Sequence, residues 1–318
     1  MSDISTLTAA RYGKDKVRVL RVVRDGSWHN IVEYYVTTLL EGDIDVSYTA
    51  ADNSVIVATD SIKNITYYLA KVSPHVLNPE RFALHIGTHI LSKYPHIHKA
   101  FVTVQQVRWT RIPVDGTDVG HAHSFFRDGD DKRFVKVEVD ATKGKDKLTA
   151  TITSGITDLL ILKSSGSSFT NFIRDGYTTL QEVDDRIFST SIDLSYTFSA
   201  ISIPSPSDEA KLEFVIPQGS GGDVWDEGVS SRARKITLDV FAADSSASVQ
   251  ATLYKMAQQI VTEHAGIDSV SYSLPNKHYI AVDMKYIGLD NTTPSQAEVF
   301  MPIETPSGLI SATVSRKK

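Results

Sequence analysis

Residues 53–64 read NSVIVATDSIKN, an apolar run that ends in two hydroxyl side chains and a carboxylate. The segment SVIVAT (54–59) is rich in β-branched residues and predicts a buried strand. From Ser61 onward, apolar residues recur every three to four positions, which predicts a helix. We expect Asp60 to cap this helix and Thr59 to lie at its N-terminus, where an unpaired backbone N–H suits an anion.

Strands and helices are predicted on both sides of this stretch. A second helix runs from Pro79 until Pro95 stops it. Period-two patterning predicts strands before and after the helix pair, at VRVLRVVR (17–24), IDVSYTA (44–50), AFVTVQQVRWTR (100–111) and RFVKVEVDA (133–141). The order in the first half is therefore strands, two helices, strands.

The second half repeats this order. Strands are predicted at LTATITSG (148–155), DLLILKS (158–164), TSIDLSYTFSAISI (190–203), KITLDVFA (235–242), VSYSLP (270–275) and HYIAVDMKY (278–286). Before the last two strands, a helix with a clear apolar stripe is expected, capped by Ser246 and ended by Gly266.

Two related modules explain this repetition. The strand-to-helix junction ATDS (58–61) is echoed by AADS (242–245), and the charged segment ATKGKDK (141–147) provides a boundary. We predict a flexible N-terminus (1–10), a first module (11–145) and a second module (146–318). Short connections favour antiparallel sheets, so the predicted class is α+β, with a helix pair on each sheet. Open sheet edges favour an oligomer that closes the sheets into a barrel.

Composition limits the chemistry. The chain has 318 residues, 41% of them hydrophobic, and a formal charge of −5, so a soluble protein without a nucleic-acid or membrane partner is expected. Cysteine is absent, which excludes disulfides and thiolate chemistry. The pairs His96/His98 and His121/His123 have ligand-like spacing but no acidic third ligand at a recognisable distance, so no metal site is predicted.

Several dispersed segments together resemble the urate oxidase (uricase) family. They are RYGKDKVRV (11–19), DNSVIVATDSIKN (52–64), HSFFRD (123–128), SSFTNFIRDGYTTLQEVDDRIFST (167–190), SASVQATLYKMA (246–257) and SLPNKHY (273–279). The resemblance implies two tandem tunnelling-fold (T-fold) modules. It also implies a homotetramer around a tunnel, with active sites at subunit interfaces.

The resemblance assigns roles to nine residues. It implies that Lys14, Thr59 and His278 form a base system, with Thr59 also contacting the substrate. The remaining implied substrate contacts are Asp60, Phe169, Arg186, Val249, Gln250 and Asn276.

These residue types fit urate, a planar anionic purine. An arginine fork can pair with a carbonyl oxygen and a ring acceptor, as Arg186 would, and the amide of Gln250 can both donate and accept on the opposite edge. Phe169 can stack on the ring. Desolvation beside His278 would favour a neutral Lys14 able to accept a proton through Thr59. The resemblance implies that urate and dioxygen react without a cofactor, giving 5-hydroxyisourate and hydrogen peroxide.

Two alternatives remain at this point. The chain could be another T-fold enzyme acting on a purine or pterin, or a non-catalytic oligomeric protein that binds a purine. The C-terminal residues SRKK differ from a peroxisomal SKL-type address, which favours a cytoplasmic protein of bacterial origin.

Overall fold

The computed structural model describes residues 4–114, 116, 119–203 and 228–317. These residues form two compact units. The first comprises the described parts of Met1–Gly155, Tyr196–Ser230 and Ala265–Asp268, and the second comprises Ile156–Ser195, Ser231–His264 and the described part of Ser269–Lys318. Residues 4–11 carry no regular secondary structure, so the predicted flexibility of residues 1–10 remains a prediction.

The elements follow one another in an α+β order. The first unit contains β1 (Tyr12–Asp25), β2 (Trp28–Gly42), α1 (Asp45–Thr49), α2 (Thr59–Val72), α3 (Pro79–Lys93), β3 (Ile97–Val107), β4 (Thr110–Arg111), β5 (Phe125–Phe126) and β6 (Lys132–Asp140). The chain continues with β7 (Leu148–Lys163), β8 (Phe188–Phe198), β9 (Ile201–Ile203), α4 (Gly228–Ala243), α5 (Val249–Glu263), β10 (Ile267–Ala281), β11 (Phe300–Ile303) and β12 (Leu309–Ser315). The boundary between the units falls within β7, β8, α4 and β10.

In the first unit, an antiparallel sheet carries the helix pair. Its strand order is β1-β2-β3-β6-β7, and β2, β3 and β6 are in register at Thr38, Val102 and Val137. Helix α3 packs so closely on the sheet that a Cβ at Gly87 would lie 2.6 Å from Cγ2 of Val139. Any larger residue at position 87 would have to displace Val139 or the helix, so glycine permits this close approach to β6.

In the second unit, β10 pairs with two C-terminal strands. His278 lies opposite Ile303 of β11, and Leu274 lies opposite Ile310 of β12. Helix α5 buries the apolar stripe predicted for it, including Leu253, Met256 and Ile260. Four predicted site residues lie on these elements, Val249 and Gln250 at the N-terminus of α5 and Asn276 and His278 in the C-terminal half of β10.

Several sequence predictions are confirmed. The strands predicted at residues 17–24, 100–111 and 133–141 correspond to β1, β3 and β6, and the two helices before Pro95 are α2 and α3. The segments 148–155 and 158–164 form one strand, β7, rather than two, and Asp158 within it has a positive φ of 61°. Strand β2 was not predicted.

The strand predicted at residues 54–59 is wrong. A 3₁₀ turn occupies Asn53–Val55, and α2 already begins at Thr59. The backbone of this segment bonds to side chains instead of to a neighbouring strand, since Val57 N donates to Tyr12 Oη at 2.8 Å and His96 Nε2 lies 2.8 Å from Val55 O. A β-branched run can therefore stay outside the sheet when side chains satisfy its polar groups.

Two further predicted strands are helices. Residues 44–50 contain α1, in which Ser47 Oγ donates to Ile44 O at 2.7 Å, a local bond that favours a turn. Residues 235–242 belong to α4, whose buried residues Ala233, Ile236 and Phe241 have helical rather than alternating spacing.

Both predicted helix caps differ in the structure. Helix α2 begins one residue before Asp60, with Ala58 at the N-cap and no side-chain cap bond. Helix α5 is capped by Ser248, whose side chain accepts from Ala251 N at 3.1 Å, rather than by Ser246. In each case the true helix start is shifted by one or two residues from the sequence estimate.

The two helix pairs have the same internal spacing. A constant offset of 170 residues relates Pro79 to Val249, Lys93 to Glu263 and Ile97 to Ile267. The start of α2 at Thr59 therefore corresponds to the start of α4, so the predicted echo of ATDS by AADS is wrong: AADS spans the end of α4.

Candidate functional site

The segment Gly166–Arg186, which connects β7 to β8, carries two predicted site residues in the second unit. Its two arms are joined by main-chain hydrogen bonds: Phe169 N donates to Val183 O at 2.8 Å, and Arg186 N donates to Ser167 O at 2.8 Å. These bonds hold Phe169 and Arg186 on adjacent arms. The guanidinium carbon of Arg186 lies 5.2 Å from the centroid of the Phe169 ring.

Arg186 is a half-buried cation whose charge is not neutralised. Burial lowers the pKa of its guanidinium. The adjacent Asp185 is already engaged, accepting from Ser165 Oγ and Gly166 N at 2.7 Å each. In the described part of the chain no carboxylate lies within ion-pair distance of Arg186. A half-buried guanidinium beside an aromatic ring is well suited to a planar anion.

The N-terminus of α5 is tied to the same segment. Ser168 N donates to Ser246 O at 2.9 Å, and Ser246 N donates to Gly166 O at 3.0 Å. The first helical residues after Ser248 are Val249, which is buried, and Gln250, which is exposed. The structure therefore brings the helix end that carries Val249 and Gln250 to the segment that carries Phe169 and Arg186.

A cleft of about 480 Å³ lies beside Arg186 and is also lined by Asn276 and His278. This volume falls within the usual range for small-molecule sites. Asn276 N donates to Gly308 O at 2.8 Å, while its side-chain Oδ1 is buried and has no hydrogen-bond partner among the described residues. Asn276 and His278, two residues apart on β10, share one face of the strand.

Lys14, Thr59 and Asp60 are grouped in the first unit. Tyr12 Oη accepts from Val57 N, and Lys14 follows on the same face of β1, next to a bulge between Lys14 and Val17. A hydrogen bond from Lys63 lowers the pKa of Asp60, and the charge of Lys14 adds to this effect. Lys14 therefore lies near the start of α2.

Thr59 and Asp60 occupy the first turn of α2. Thr59 is exposed, and the N–H of a first helical residue has no acceptor within the helix. The carboxylate of Asp60 accepts from Lys63 Nζ at 2.5 Å and from Asn64 Nδ2 at 2.9 Å. This engagement along its own helix replaces the capping role expected for Asp60.

The histidine pairs make other contacts. His96 bonds to Val55 O, and His98 Nε2 lies 3.0 Å from Asp43 Oδ1. The rings of His121 and His123 meet edge to face at 4.5 Å. Over the ranges that the structure describes, no three His, Asp or Glu side chains are arranged to hold a metal ion.

Sequence reasoning missed the residues that hold the site segments in place. Asp185 binds the Gly166 turn, and Asp244 and Thr252 bind the turn before α5. For Asp185 and Asp244 the sequence signal was a carboxylate near a predicted site residue or helix start, and Thr252 gave no signal of its own. Such a pattern is too common in loops to be distinguished from ordinary turn formation.

Comparison with known proteins identifies the family. The family model described as Uricase matches residues 10–138 and 152–311. The chain is 47% identical to the uricase of Emericella nidulans, over 99% of this chain and 98% of that protein, and 46% identical to the uricase of Aspergillus flavus, over 98% of each. The chain belongs to the uricase family.

A solved structure agrees with this assignment. The crystal structure of uricase from Arthrobacter globiformis is 32% identical in sequence, with a TM-score of 0.82 over 98% of this chain and 96% of that chain. The α+β class predicted from the sequence is thereby confirmed. The chain is thus an oxidoreductase of the uricase family.

One expectation about origin is corrected. Identity is higher to the fungal uricases, at 47% and 46%, than to the Arthrobacter uricase, at 33%. A bacterial origin is therefore not supported. None of the helices in the described ranges is long and apolar enough to cross a membrane. The expected cytoplasmic location stays a prediction.

Proposed function

We propose that this uricase-family chain oxidises urate with dioxygen and water, giving 5-hydroxyisourate and hydrogen peroxide, without a cofactor. The observation that carries the proposal is the half-buried guanidinium of Arg186. It lies beside the Phe169 ring, has no carboxylate partner among the described residues, and faces a cleft shared with Asn276 and His278. This arrangement supports recognition of a flat, anionic ring.

Five site residues of the second unit bind urate or dioxygen. Arg186 pairs with one edge of urate and offsets its charge, Gln250 and the backbone of Val249 pair with the opposite edge, and Phe169 stacks on the ring. Asn276 holds dioxygen, and then water, above the ring plane, a role supported by its buried and unpaired Oδ1.

Lys14 and Thr59 of the first unit supply the base system together with His278 of the second unit. Lys14 draws a proton from bound urate through the hydroxyl of Thr59, with His278 completing the relay, and Asp60 contributes a further contact at the same helix end. The urate dianion then passes two electrons to dioxygen. Water adds its oxygen to the purine, and dioxygen leaves as hydrogen peroxide, so the electrons balance without a further reactant.

We further propose a homotetramer of chains that each contain two T-fold modules. Residues 139–151, which separate the two stretches matched by the family model, include the predicted module boundary, and the constant spacing of the helix pairs supports an internal repeat. In this proposal, Lys14, Thr59 and Asp60 of one subunit complete the pocket of another around the tunnel.

The proposal predicts urate turnover that does not depend on metal. Purified protein should consume urate and oxygen in equal amounts and release one peroxide per urate, at the same rate before and after exhaustive chelation. An oxygen electrode and a peroxide assay make this measurement. Loss of turnover on chelation, with recovery on adding a metal, would contradict the cofactor-free proposal.

A further inference from the structure

The turn before α5, residues 244–248, is built around the partly buried Asp244, whose side chain is 9% exposed. Asp244 Oδ1 lies 2.5 Å from Lys255 Nζ, and Oδ2 lies 2.7 Å from Thr252 Oγ1. Burial works to raise the pKa of Asp244, but these bonds outweigh it and hold the pKa below its ordinary value. The carboxylate is therefore ionised and only accepts.

Thr252 links this carboxylate to Ser246. It is 1% exposed, and its Oγ1 lies 2.8 Å from Ser246 Oγ. Because an ionised carboxylate cannot donate, the Thr252 proton points to Asp244. The hydroxyl of Ser246 can then donate to Thr252 Oγ1 or to Ser248 O, which lies 3.2 Å away. The Thr252 hydroxyl thus bonds to both Asp244 and Ser246, the two residues that shape the turn.

The backbone of Ser246 joins this turn to the segment that carries Arg186. It exchanges hydrogen bonds with Gly166 O and Ser168 N, and Ser167 O in turn accepts from Arg186 N. Thr252 itself follows Gln250 by two residues on α5. The Thr252 hydroxyl therefore connects α5, which carries Gln250, to Ser246, and the backbone of Ser246 connects in turn to the segment Gly166–Arg186, which carries Arg186.

We propose that Thr252 is a positioning residue that sets the separation of Gln250 from Arg186 and Phe169 without contacting urate. This inference rests on the proposed function, because it assumes that the two side chains hold opposite edges of one ring. A planar ligand held at two edges tolerates little change in their spacing. Loss of the hydroxyl should therefore weaken urate binding more than it slows the chemical step.

The test compares Thr252→Val, Thr252→Ser and Thr262→Val. Thr262 lies on the same helix, is exposed, and bonds only to its own helix through Gln258 O at 2.8 Å, so it is the matched control. Thr252→Val should raise the Kd for urate, titrated without oxygen, about tenfold or more, because the turn loses both bonds that tie α5 to Ser246 and Asp244 and so fix the spacing of Gln250 from Arg186. It should raise KM similarly while changing kcat by less than about threefold. Thr252→Ser and Thr262→Val should bind urate like the unmodified chain.

An unchanged Kd in folded Thr252→Val protein would overturn the inference, as would a failure of Thr252→Ser to restore binding. If Thr252→Val does not fold, Asp244→Asn provides the test. The amide weakens the charge-assisted bonds from Thr252 and Lys255, so Kd should rise roughly threefold, and an unchanged Kd would again overturn the inference. Absence of urate turnover in the unmodified chain would instead count against the proposed function.

Discussion

At the scale of single residues, the charge of Arg186 separates a binding site from an ordinary loop. A guanidinium on a loop usually pairs with a neighbouring carboxylate, and Asp185 is adjacent in sequence. The carboxylate of Asp185 instead binds Ser165 and Gly166. The Arg186 side chain is thus held beside the Phe169 ring with its donors available to a ligand.

Replacing Arg186 should therefore abolish binding without unfolding the protein. Arg186→Ala should raise the Kd for urate roughly a hundredfold or more, since both the charge and the paired donors are lost, and Arg186→Lys should restore little of it. Arg174→Ala is the control, because Arg174 is exposed and its guanidinium carbon lies 5.4 Å from the ring of Phe172 in the same segment. Normal urate turnover in Arg186→Ala would remove Arg186 from the site.

At the scale of elements, helix α3 contains a buried histidine, His85, that packs against the connection between α2 and α3. Nδ1 of His85 lies 2.8 Å from Ser73 Oγ, and the ring of His75 meets it edge to face at 5.8 Å. Burial is the main cause that lowers the pKa of His85 to about 4, and the charges of His75 and His89 add to it. His85 is therefore neutral in the folded protein at pH 7.

The stability of the first unit should consequently fall in mild acid. Because the pKa of His85 is lower in the folded than in the unfolded state, the unfolded chain binds the proton first. The contribution of neutral His85 to the free energy of unfolding is then complete above about pH 6.5 and is lost as the pH falls toward 4. This residue should lower the free energy of unfolding by about 2 kcal/mol between pH 6.5 and 5, as measured by urea titration.

The matched variants isolate this contribution. His85→Gln should show a smaller loss of stability between pH 6.5 and 5 than the unmodified chain. His98→Gln, which changes a partly exposed ring beside Asp43, should retain the full loss. Equal pH dependence in His85→Gln and the unmodified chain would show that His85 is not the titrating group.

At the scale of the whole molecule, the predicted site residues fall into two groups. Lys14, Thr59 and Asp60 belong to the first unit, and the other six belong to the second. If one subunit supplies the first group to the pocket of another, two inactive chains can complement each other. An oligomer containing Thr59→Ala and Arg186→Ala chains would then contain some pockets in which both residues are intact.

Co-expression of these two variants should recover roughly a quarter of the activity. In a random mixture, half of the pockets receive an intact Thr59 from one chain, and half of those receive an intact Arg186 from the other. Light scattering would establish the mass of the mixed oligomer. Co-expression of Thr59→Ala with Lys14→Met is the control and should recover nothing, since both changes affect the same group. Absence of recovery in the first mixture would place both groups of a pocket in one chain.

Much of the element order could be predicted from the sequence because it depends on local periodicity. The stripe of α5 and the alternation of β6 each describe one face of one element, and both are confirmed. The segment SVIVAT could not be predicted correctly. Its β-branched residues favour a strand, but the Tyr12 hydroxyl and the His96 ring, distant in sequence, bind its backbone in the folded chain.

The family, the α+β class and the residue types suited to a planar anion follow from the amino-acid sequence alone, because each depends on short motifs or on periodicity within one element. The absence of a carboxylate partner for Arg186 among the described residues, and the link through Ser246 between the helix of Gln250 and the segment of Arg186, are properties of the folded chain. Those properties depend on groups that meet from distant positions in the chain, such as Asp185 with Gly166, 19 residues apart, and Ser246 with Gly166, 80 residues apart. The periodicity of a short segment does not indicate which distant groups it contacts, because hydrogen bonds and burial depend on how the whole unit packs.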